Sequence, residues 1–297
     1  MPEILQLDFM VRAFITSALV GMTAPVIGVF LVQRRLALLG DGIGHVALTG
    51  VGLGFLTHTS PVLTALVVSA VGAVLIELVR THTRTSGDLA LALLFYGGIA
   101  GGVFLTGLAP GATSADLTSF LFGSVSTVSP QDVVLVALLA VAVLAVLGYF
   151  GRELFVLCQD EELARVHGIP VRFLSTVLAV VAAVTVVLAM RVVGVLLVSA
   201  LMVVPVAAAQ QLTRSFRATV RLAVLLGVLA ALTGLSTAYY TDTAPGAAIV
   251  LVAIALFVTA AGGGILLRRR RFRTVPEAES PPAVGTISGT DPGSVSP

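Results

Sequence analysis

Charged side chains are scarce in this sequence, and lysine is absent altogether. Charged residues make up 11% of the 297 positions, whereas a soluble domain carries about a quarter. All 17 basic residues are arginine, and the formal net charge is only +2, which gives no reason to expect a nucleic-acid partner. With 57% hydrophobic residues and a mean hydropathy of +1.07, no soluble fold fits the composition. We therefore expect the lipid bilayer to be the solvent of this chain.

Cysteine is nearly absent as well. The lone Cys158 excludes an internal disulfide and a thiolate metal cluster, so any metal chemistry must use histidine and carboxylates. The sequence also lacks a Walker A motif, a nucleophile elbow and the HExxH motif of zinc metalloproteases. Neither ATP hydrolysis nor acyl or proteolytic chemistry is therefore expected of this chain itself. Energy for any transport must come from an ion gradient or from a partner.

Long apolar runs are what the sequence does contain, and each is long enough for a helix that crosses the hydrocarbon core. They predict an all-α, polytopic transmembrane bundle of eight or nine spans. The number is open because Arg191 and Gly194 interrupt the run 174–211, which is either two spans or one span plus a broken piece. The runs lie near 9–32, 38–57, 61–79, 88–108, 133–150, 174–192, 194–211, 220–238 and 246–267.

Arginine clusters predict the orientation, because positive residues near span ends tend to stay in the cytoplasm. All five clusters reach the cytoplasm together only with nine spans and an external N-terminus. The Pro-, Gly-, Ser- and Thr-rich residues 274–297 cannot bury enough surface to fold. We expect a permease domain over 1–273 and a disordered cytoplasmic tail over 274–297. The clusters are Arg34 with Arg35, Arg80 with Arg84, Arg152 to Arg172, Arg214 to Arg221, and Arg268 to Arg273.

Asp41 and His45 form the sharpest local feature, since they stand four residues apart near the start of the second apolar run. That spacing stacks a carboxylate and an imidazole on one helical face. The pair suits zinc, manganese or ferrous iron, and two donors alone would leave the site open and exchangeable. An equally good interpretation is that Asp41 caps the helix and His45 hydrogen-bonds a neighbouring carbonyl.

Other polar residues have simpler interpretations. Asp88 is expected to cap the fourth span, with a role at the cytoplasmic end of a path as the alternative. Glu77 is expected to form an ion pair with Arg80. Pro25 and Pro205 predict kinks or breaks, which in transporters tend to line a cavity. Arg191 is either a buried charge near the pathway or a surface anchor. The remaining histidines are expected to be solvated: His58, His82 and His167.

The connection from Arg152 to Arg172 predicts a short amphipathic surface helix, with three acids in its first turn and then glycine and proline closing it. On the cytoplasmic face, such a helix suits a subunit that accepts force from a soluble motor. A capped connecting turn with no further role is nearly as good an interpretation.

Four stretches in this order resemble the permease subunits of the zinc, manganese and iron ABC importers, the metal ABC transporter permease family. With the order of the spans, the resemblance covers roughly residues 5–268. Two positions depart from the family pattern, in which Ser and Pro often stand where this chain has Gly44 and Thr49. The stretches are RRLALLGDGIGHVALTGVGLG (34–54), SFLFGSVSTVS (119–129), DEELARVHGI (160–169) and RVVGVLLVSALMVVPVAAA (191–209).

The resemblance implies that Asp41 and His45 are transient ligands on the metal route. It implies no permanently bound cofactor and a cargo of Zn²⁺ or Mn²⁺, with Fe²⁺ also compatible. It further implies alternating access in a permease dimer, with a cytoplasmic ATP-binding subunit and an extracytoplasmic metal-binding receptor as partners. The loop at about 158–170 would be the coupling helix that docks on the ATPase, through Asp160, Glu161, Glu162, Ala164, Arg165 and Gly168.

Two alternatives to this importer are a gradient-driven secondary transporter or channel and a membrane-embedded metalloprotease, and the second ranks last because the HExxH motif is absent. A gradient-driven secondary transporter or channel would need no ATPase partner, but such proteins usually keep several acids deep in their spans.

Because only neutral imidazole binds metal, transport through His45 is expected to fail well below a pH of ~6.5. A transport pH profile that stays flat into the acidic range would contradict this.

Overall fold

The computed structural model describes residues 7–82, 87–111, 113–124 and 128–272. Within them, the description leaves out the side chains of residues 81, 82, 87, 88, 90, 114 and 264–272. The tail expected over 274–297 lies outside the described residues. In the part that is described, the chain is helical and contains no strand.

Nine of the helices are long and apolar enough to cross a membrane within the described ranges, which confirms the all-α transmembrane bundle. The short helices α5, α7 and α8 complete the fold. In chain order the helices are α1 (Asp8–Gln33), α2 (Leu39–Leu56), α3 (Pro61–His82), α4 (Gly87–Leu108), α5 (Ser114–Phe122), α6 (Pro130–Tyr149), α7 (Gly151–Gln159), α8 (Glu161–Val166), α9 (Val171–Met190), α10 (Val195–Leu212), α11 (Phe216–Thr241) and α12 (Pro245–Phe272).

The interrupted run 174–211 is two spans. Helix α9 ends at Met190, and Gly194 has a φ of +87°, which breaks the chain before α10. Gly123, after α5, has a φ of +79° and packs against this break. A Cβ on Gly194 would lie 2.6 Å from the Gly123 nitrogen. Only glycine can adopt the positive φ and also leave room for so close an approach. The end of α5 therefore packs directly on the α9–α10 junction.

The order of the spans brings the described arginines Arg34, Arg80, Arg152 and Arg214 to one side of the bundle. They stand at or just after the ends of the first, third, fifth and seventh of the nine candidate spans in the described residues. A direct contact supports this arrangement, since Arg34 after α1 forms a 3.2 Å ion pair with Glu161 of α8. Helix α5 and the α9–α10 junction follow the fourth and sixth spans and so lie at the opposite end.

Helix α2 lies at the centre of the bundle and packs against α3, α4, α9 and α10. It is 72% buried, whereas α4, which packs on it, is only 17% buried along its apolar window. On the other side, α1 crosses α11 at Gly21 and Gly227, where a Cβ on Gly21 would lie 2.8 Å from the Gly227 carbonyl oxygen. Small residues allow such close helix crossings in a membrane. On the α4 side, a single helix that is itself mostly exposed thus separates the central helix α2 from the outer surface of the bundle.

Candidate metal site

Asp41 lies in the first turn of α2 but does not cap it. The N-cap residue is Leu38, and no side chain makes a capping hydrogen bond there. The Asp41 Oδ1 instead accepts a hydrogen bond of 2.5 Å from Ser199 Oγ of α10. A hydroxyl that donates to a carboxylate fixes its orientation and keeps its second oxygen available. The capping interpretation of Asp41 is therefore wrong.

His45 follows one turn later on α2 and is only 4% exposed. Its ring packs edge-on against Phe95 of α4, with 4.0 Å between the ring centroids. The Nδ1 atom is buried and has no hydrogen-bond partner among the described residues. A buried imidazole nitrogen without a partner is costly, and a passing metal ion is one ligand that would satisfy it. The predicted bond from His45 to a carbonyl is not found at Nδ1.

The backbone of His45 is held by close contact with α4. A Cβ on Gly98 would lie 2.5 Å from the His45 carbonyl carbon, so only glycine fits there. Beside it, Thr49 Oγ1 donates to the Gly98 carbonyl oxygen at 2.8 Å. The threonine that replaces the family's frequent proline thus ties α2 to α4 by an interhelical hydrogen bond. Gly98, Gly101 and Gly102 of α4 all lie close against α2, as small residues do where helices approach closely in a membrane.

Gly44, the second departure from the family pattern, faces the α9–α10 side of α2. A Cβ there would lie 3.2 Å from the Val195 carbonyl oxygen, which leaves little room for a serine. The hydroxyl that does reach the carboxylate comes from Ser199 of α10. An oxygen from another helix therefore accompanies Asp41.

A pocket of about 190 Å³ lies between the start of α2 and α4, and Asp41 is its one charged lining residue in the described part of the chain. The rest of the wall is apolar or aromatic. Tyr96 is 69% exposed, so the pocket meets the thinly covered face of α4. Its lining consists of Leu38, Asp41, Leu91, Ala92, Phe95 and Tyr96.

The donor set is small. Among the described residues, no group of three or more histidine, cysteine, aspartate or glutamate side chains could hold a metal ion. Asp41 supplies carboxylate oxygen and His45 supplies imidazole nitrogen, the mixed pair that suits divalent transition metals. Two such donors on one ion would leave most of its coordination positions open to water or to a second subunit. The arrangement fits brief contact with an ion rather than storage of one.

The predicted surface helix is present as α8. Asp160 is its N-cap rather than part of its first turn, and its Oδ1 accepts from the backbone nitrogens of Glu162 and Leu163 at 2.8 and 3.1 Å. Gly168 ends the helix with a φ of +74°, and Ile169 N donates to the Ala164 carbonyl at 3.0 Å, as in a Schellman motif.

One side of α8 is anchored and the other is exposed. Ala164 is fully buried, whereas Glu162, Arg165 and Gly168 are exposed. Val166, 84% exposed, adds an apolar contact point. Both caps make α8 a rigid and accessible element on the arginine-rich side of the bundle.

A polar pocket of about 490 Å³ lies under α8. It includes Cys158, whose Sγ lies 3.7 Å from the Phe30 carbonyl oxygen. Burial raises the pKa of this thiol to about 11, although Arg34 opposes the shift. A neutral thiol is a weak ligand and nucleophile, so Cys158 is expected to be inert.

The other predicted residues lie apart from this site. Glu77 forms the predicted ion pair with Arg80, at 3.1 Å. Arg191 lies at the α9–α10 junction, 3.6 Å from Asp132 and with its guanidinium carbon 5.1 Å from the Phe120 ring centroid. His58 and His167 are exposed, as predicted. The expectations for the side chains of His82 and Asp88 lie outside the described residues.

Sequence reasoning missed Ser199 and Phe95. Ser199 is a lone hydroxyl in an apolar span, and its distance of 158 positions from Asp41 hides the contact. In the sequence, Phe95 cannot be told from an aromatic residue that faces lipid. Only the packing of α4 on α2 brings it against His45. A polar residue inside a span was the one signal available for Ser199.

These features define a multi-pass permease of the plasma membrane, with nine candidate spans in the described residues and a carboxylate–imidazole pair on its central helix α2. Comparison with known proteins gives the family. Residues 6–262 match the ABC 3 transport family, and the chain belongs to it. This confirms the resemblance found in the sequence.

Individual relatives agree. The chain is 33% identical over 257 residues to the manganese transport system membrane protein MntC of Listeria innocua, a match that covers 86% of this chain and 91% of MntC. It is 29% identical to the high-affinity zinc uptake system membrane protein ZnuB of Haemophilus influenzae, over 84% of this chain and 96% of ZnuB. Among solved structures, PsaBC from Streptococcus pneumoniae in complex with Fab matches with a TM-score of 0.81 and 29% identity, over 90% of this chain and 97% of that one.

Proposed function

We propose that this chain is the membrane-spanning permease subunit of an ATP-driven importer of a divalent transition metal. Zinc and manganese are the candidate cargoes, since the relatives are named for one or the other, and Fe²⁺ suits the same ligands. The observation that carries the proposal is the pair of half-buried Asp41 and buried His45. Ser199 orients the Asp41 carboxylate, and the His45 Nδ1 has no partner among the described residues.

Asp41 and His45 act as transient ligands. Two donors bind an ion weakly enough to release it, which conduction requires. Imidazole binds metal only when neutral, so import through His45 fails in acid. The ion enters from the end that carries α5, where an extracytoplasmic receptor delivers it, and leaves at the arginine-rich cytoplasmic end.

A second permease copy completes the pathway. The pocket at Asp41 meets the exposed face of α4, where Leu93 and Tyr96 are 65% and 69% exposed. Two such faces packed together would bring a second carboxylate–imidazole pair close to the first. A homodimer with metal at its interface is therefore the assembly that we propose, and alternating access moves the ion through it.

Helix α8 is the docking element for a separate ATP-binding subunit. Its caps keep it rigid, and its exposed face offers charge and an apolar contact to a partner. In this scheme the partner hydrolyses ATP and the permease carries no ATPase activity of its own. A gradient-driven transporter is the alternative, but the carboxylates described within the spans lie near helix ends, at Asp8, Asp41, Glu77 and Asp132, rather than deep in a span.

The test is radiometal uptake into proteoliposomes that contain the complete complex, with zinc and manganese in parallel. Wild type is compared with Asp41→Ala, His45→Ala and the control His58→Ala, whose imidazole is exposed in a loop. The first two are expected to abolish uptake, and the control is expected to leave it unchanged.

ATP dependence separates the two transport classes. Uptake that needs hydrolysable ATP and survives a protonophore supports the importer, and the ion taken up identifies the cargo. Uptake without ATP that collapses with the proton gradient would instead favour the secondary transporter. If uptake persists in both pathway variants, Asp41 and His45 are structural residues.

A further inference from the structure

Arg34 is an unusually buried arginine at the arginine-rich end of the bundle. Its side chain is 7% exposed, and it lies where α1 ends. One nitrogen, Nη1, donates to Ser175 Oγ of α9 at 2.7 Å. The other, Nη2, lies 3.2 Å from Glu161 Oε2 of α8. The guanidinium therefore joins three elements at one point.

The partner carboxylate belongs to α8. Glu161 also binds Arg165 through Oε1 at 2.6 Å, but that bond lies within α8 and cannot link it to the bundle. Among the ion pairs that the described residues form, Arg34 with Glu161 is the one that joins α8 to a span. A movement of α8 therefore acts directly on Arg34.

Arg34 in turn connects to the metal site by a short and ordered piece of chain. Residues 34–38 join α1 to α2, and Asp41 follows in the first turn of α2. Backbone hydrogen bonds order this connection, from Leu36 N to the Leu31 carbonyl at 2.8 Å and from Leu39 N to the Leu36 carbonyl at 3.0 Å. Because this connection is ordered, a displacement of Arg34 also moves the start of α2, whereas a flexible linker would not transmit it.

We propose that Arg34 is the positioning residue that couples movement of α8 to Asp41, so that ATP-driven displacement of α8 shifts the start of α2 and opens or closes the metal site. This inference rests on the proposed function. Arg34 does not touch the ion. It acts through Glu161 on one side and through the α1–α2 connection on the other.

Arginine suits this role better than lysine. Its planar fork holds Ser175 and Glu161 at once, in fixed directions, whereas an ammonium is a single point charge on a flexible stem. Burial in the pocket under α8 lowers the pKa of Arg34, and nearby Arg80 lowers it further while Glu161 raises it. An arginine stays charged at neutral pH even so, and the ion pair is retained.

The experiment measures ATP hydrolysis and radiometal uptake in the same proteoliposomes of the complete complex. The variants are Arg34→Gln, Arg34→Lys and Glu161→Gln, with Arg35→Gln as the matched control. Arg35 is the adjacent arginine, but it is exposed and forms no ion pair with any described residue. Co-purification of the ATP-binding subunit and thermal unfolding are recorded for each complex.

For Arg34→Gln we expect the ATP-binding subunit to remain bound and ATP hydrolysis to continue, while metal imported per ATP falls by about tenfold or more. Glu161→Gln is expected to lower the same ratio, measured per bound ATP-binding subunit because Glu161 also lies on the docking helix α8. Arg34→Lys is expected to give an intermediate import per ATP, because lysine keeps the positive charge but lacks the planar guanidinium that bonds Ser175 and Glu161 together. Arg35→Gln is expected to match wild type. A residue with only a structural role would change stability or assembly without changing this ratio.

Import per ATP that stays at the wild-type value in Arg34→Gln and Glu161→Gln would overturn the proposal. So would a loss of import that merely follows the loss of bound ATP-binding subunit. If Arg34→Gln does not assemble, Glu161→Gln decides, since its side chain is 43% exposed and its loss removes no buried group. A wild-type complex that imports neither metal would contradict the proposed function itself, whereas normal coupling in the variants of an active complex would contradict only this inference.

Discussion

Ser199 of α10 donates a hydrogen bond to the carboxylate of Asp41 on α2, and this bond joins two spans that are 158 positions apart. It leaves the Asp41 side chain ordered before any ion arrives. A ligand that is already oriented loses less freedom when it binds. Ser199 is therefore expected to tune the site without being essential to the fold.

Replacing Ser199 by alanine tests this role. A hydrogen bond to a charged group is worth about 1.5–3 kcal/mol, so Ser199→Ala is expected to weaken apparent metal affinity about tenfold or more while maximal uptake falls less. Uptake as a function of metal concentration measures both. The control is Ser69→Ala, a buried serine of α3 whose one side-chain hydrogen bond among the described residues goes to the Leu66 carbonyl of its own helix. Equal effects of the two substitutions would remove Ser199 from the site.

Adjacent glycines of α4 provide a matched pair. A Cβ on Gly98 would overlap the His45 backbone, whereas one on Gly97 would meet nothing within 4 Å. Gly98→Ala is expected to destabilise the protein by about 1–3 kcal/mol, as overpacking does, and to displace His45 and reduce uptake. Gly97→Ala should match wild type in thermal unfolding, and a change in its uptake would point to the exposed face of α4 that we propose as the dimer interface. Thermal unfolding in detergent and radiometal uptake are the measurements, and a neutral Gly98→Ala would mean that α4 can move away from α2 freely.

Cys158 allows a test of burial at the α7–α8 side. Its pKa is raised to about 11 by burial, so the thiolate is rare at pH 8 and increases roughly tenfold per pH unit up to that value. The higher nucleophilicity of a high-pKa thiolate offsets part of this. Alkylation of the folded protein at pH 8 is expected to be at least about tenfold slower than in denaturant. Equal rates would show an exposed thiol.

The outer end of the bundle provides a stability comparison. Asp132 Oδ2 accepts from Ser129 N and Oγ in a capping box, while Oδ1 pairs with Arg191 at 3.6 Å. Asp132→Ala removes the carboxylate half of the capping box and the ion pair but leaves the Ser129 cap on the backbone nitrogen, whereas Arg191→Met removes the ion pair and the contact with Phe120. We expect Asp132→Ala to be the more destabilising by about 1 kcal/mol, the net worth of a hydrogen bond. Thermal unfolding measures both, and the reverse order would show that the arginine contacts dominate.

The sequence predicts much of this architecture because a bilayer leaves few alternatives. Every backbone group within lipid must be bonded inside its own segment, so an apolar run of sufficient length becomes a helix. The approximate positions of the apolar runs, a short surface helix before Arg172 and the pairing of Glu77 with Arg80 follow from local pattern, whereas the choice between eight and nine spans does not. The spacing of Asp41 and His45 is equally local, since both lie on one helix.

Tertiary structure decides what no local pattern contains. The break at Gly194 becomes a junction between two spans because Gly123 packs into it, and that contact crosses the fold. The sequence would also allow Asp41 to cap its own helix. In the fold, its carboxylate instead accepts a hydrogen bond from Ser199 of another span, which orients it. The link from Arg34 to Glu161 joins the ends of distant helices. Hydrophobic periodicity specifies that helices form, whereas side-chain packing and hydrogen bonds between helices specify which residues meet, and the candidate metal site depends on those meetings.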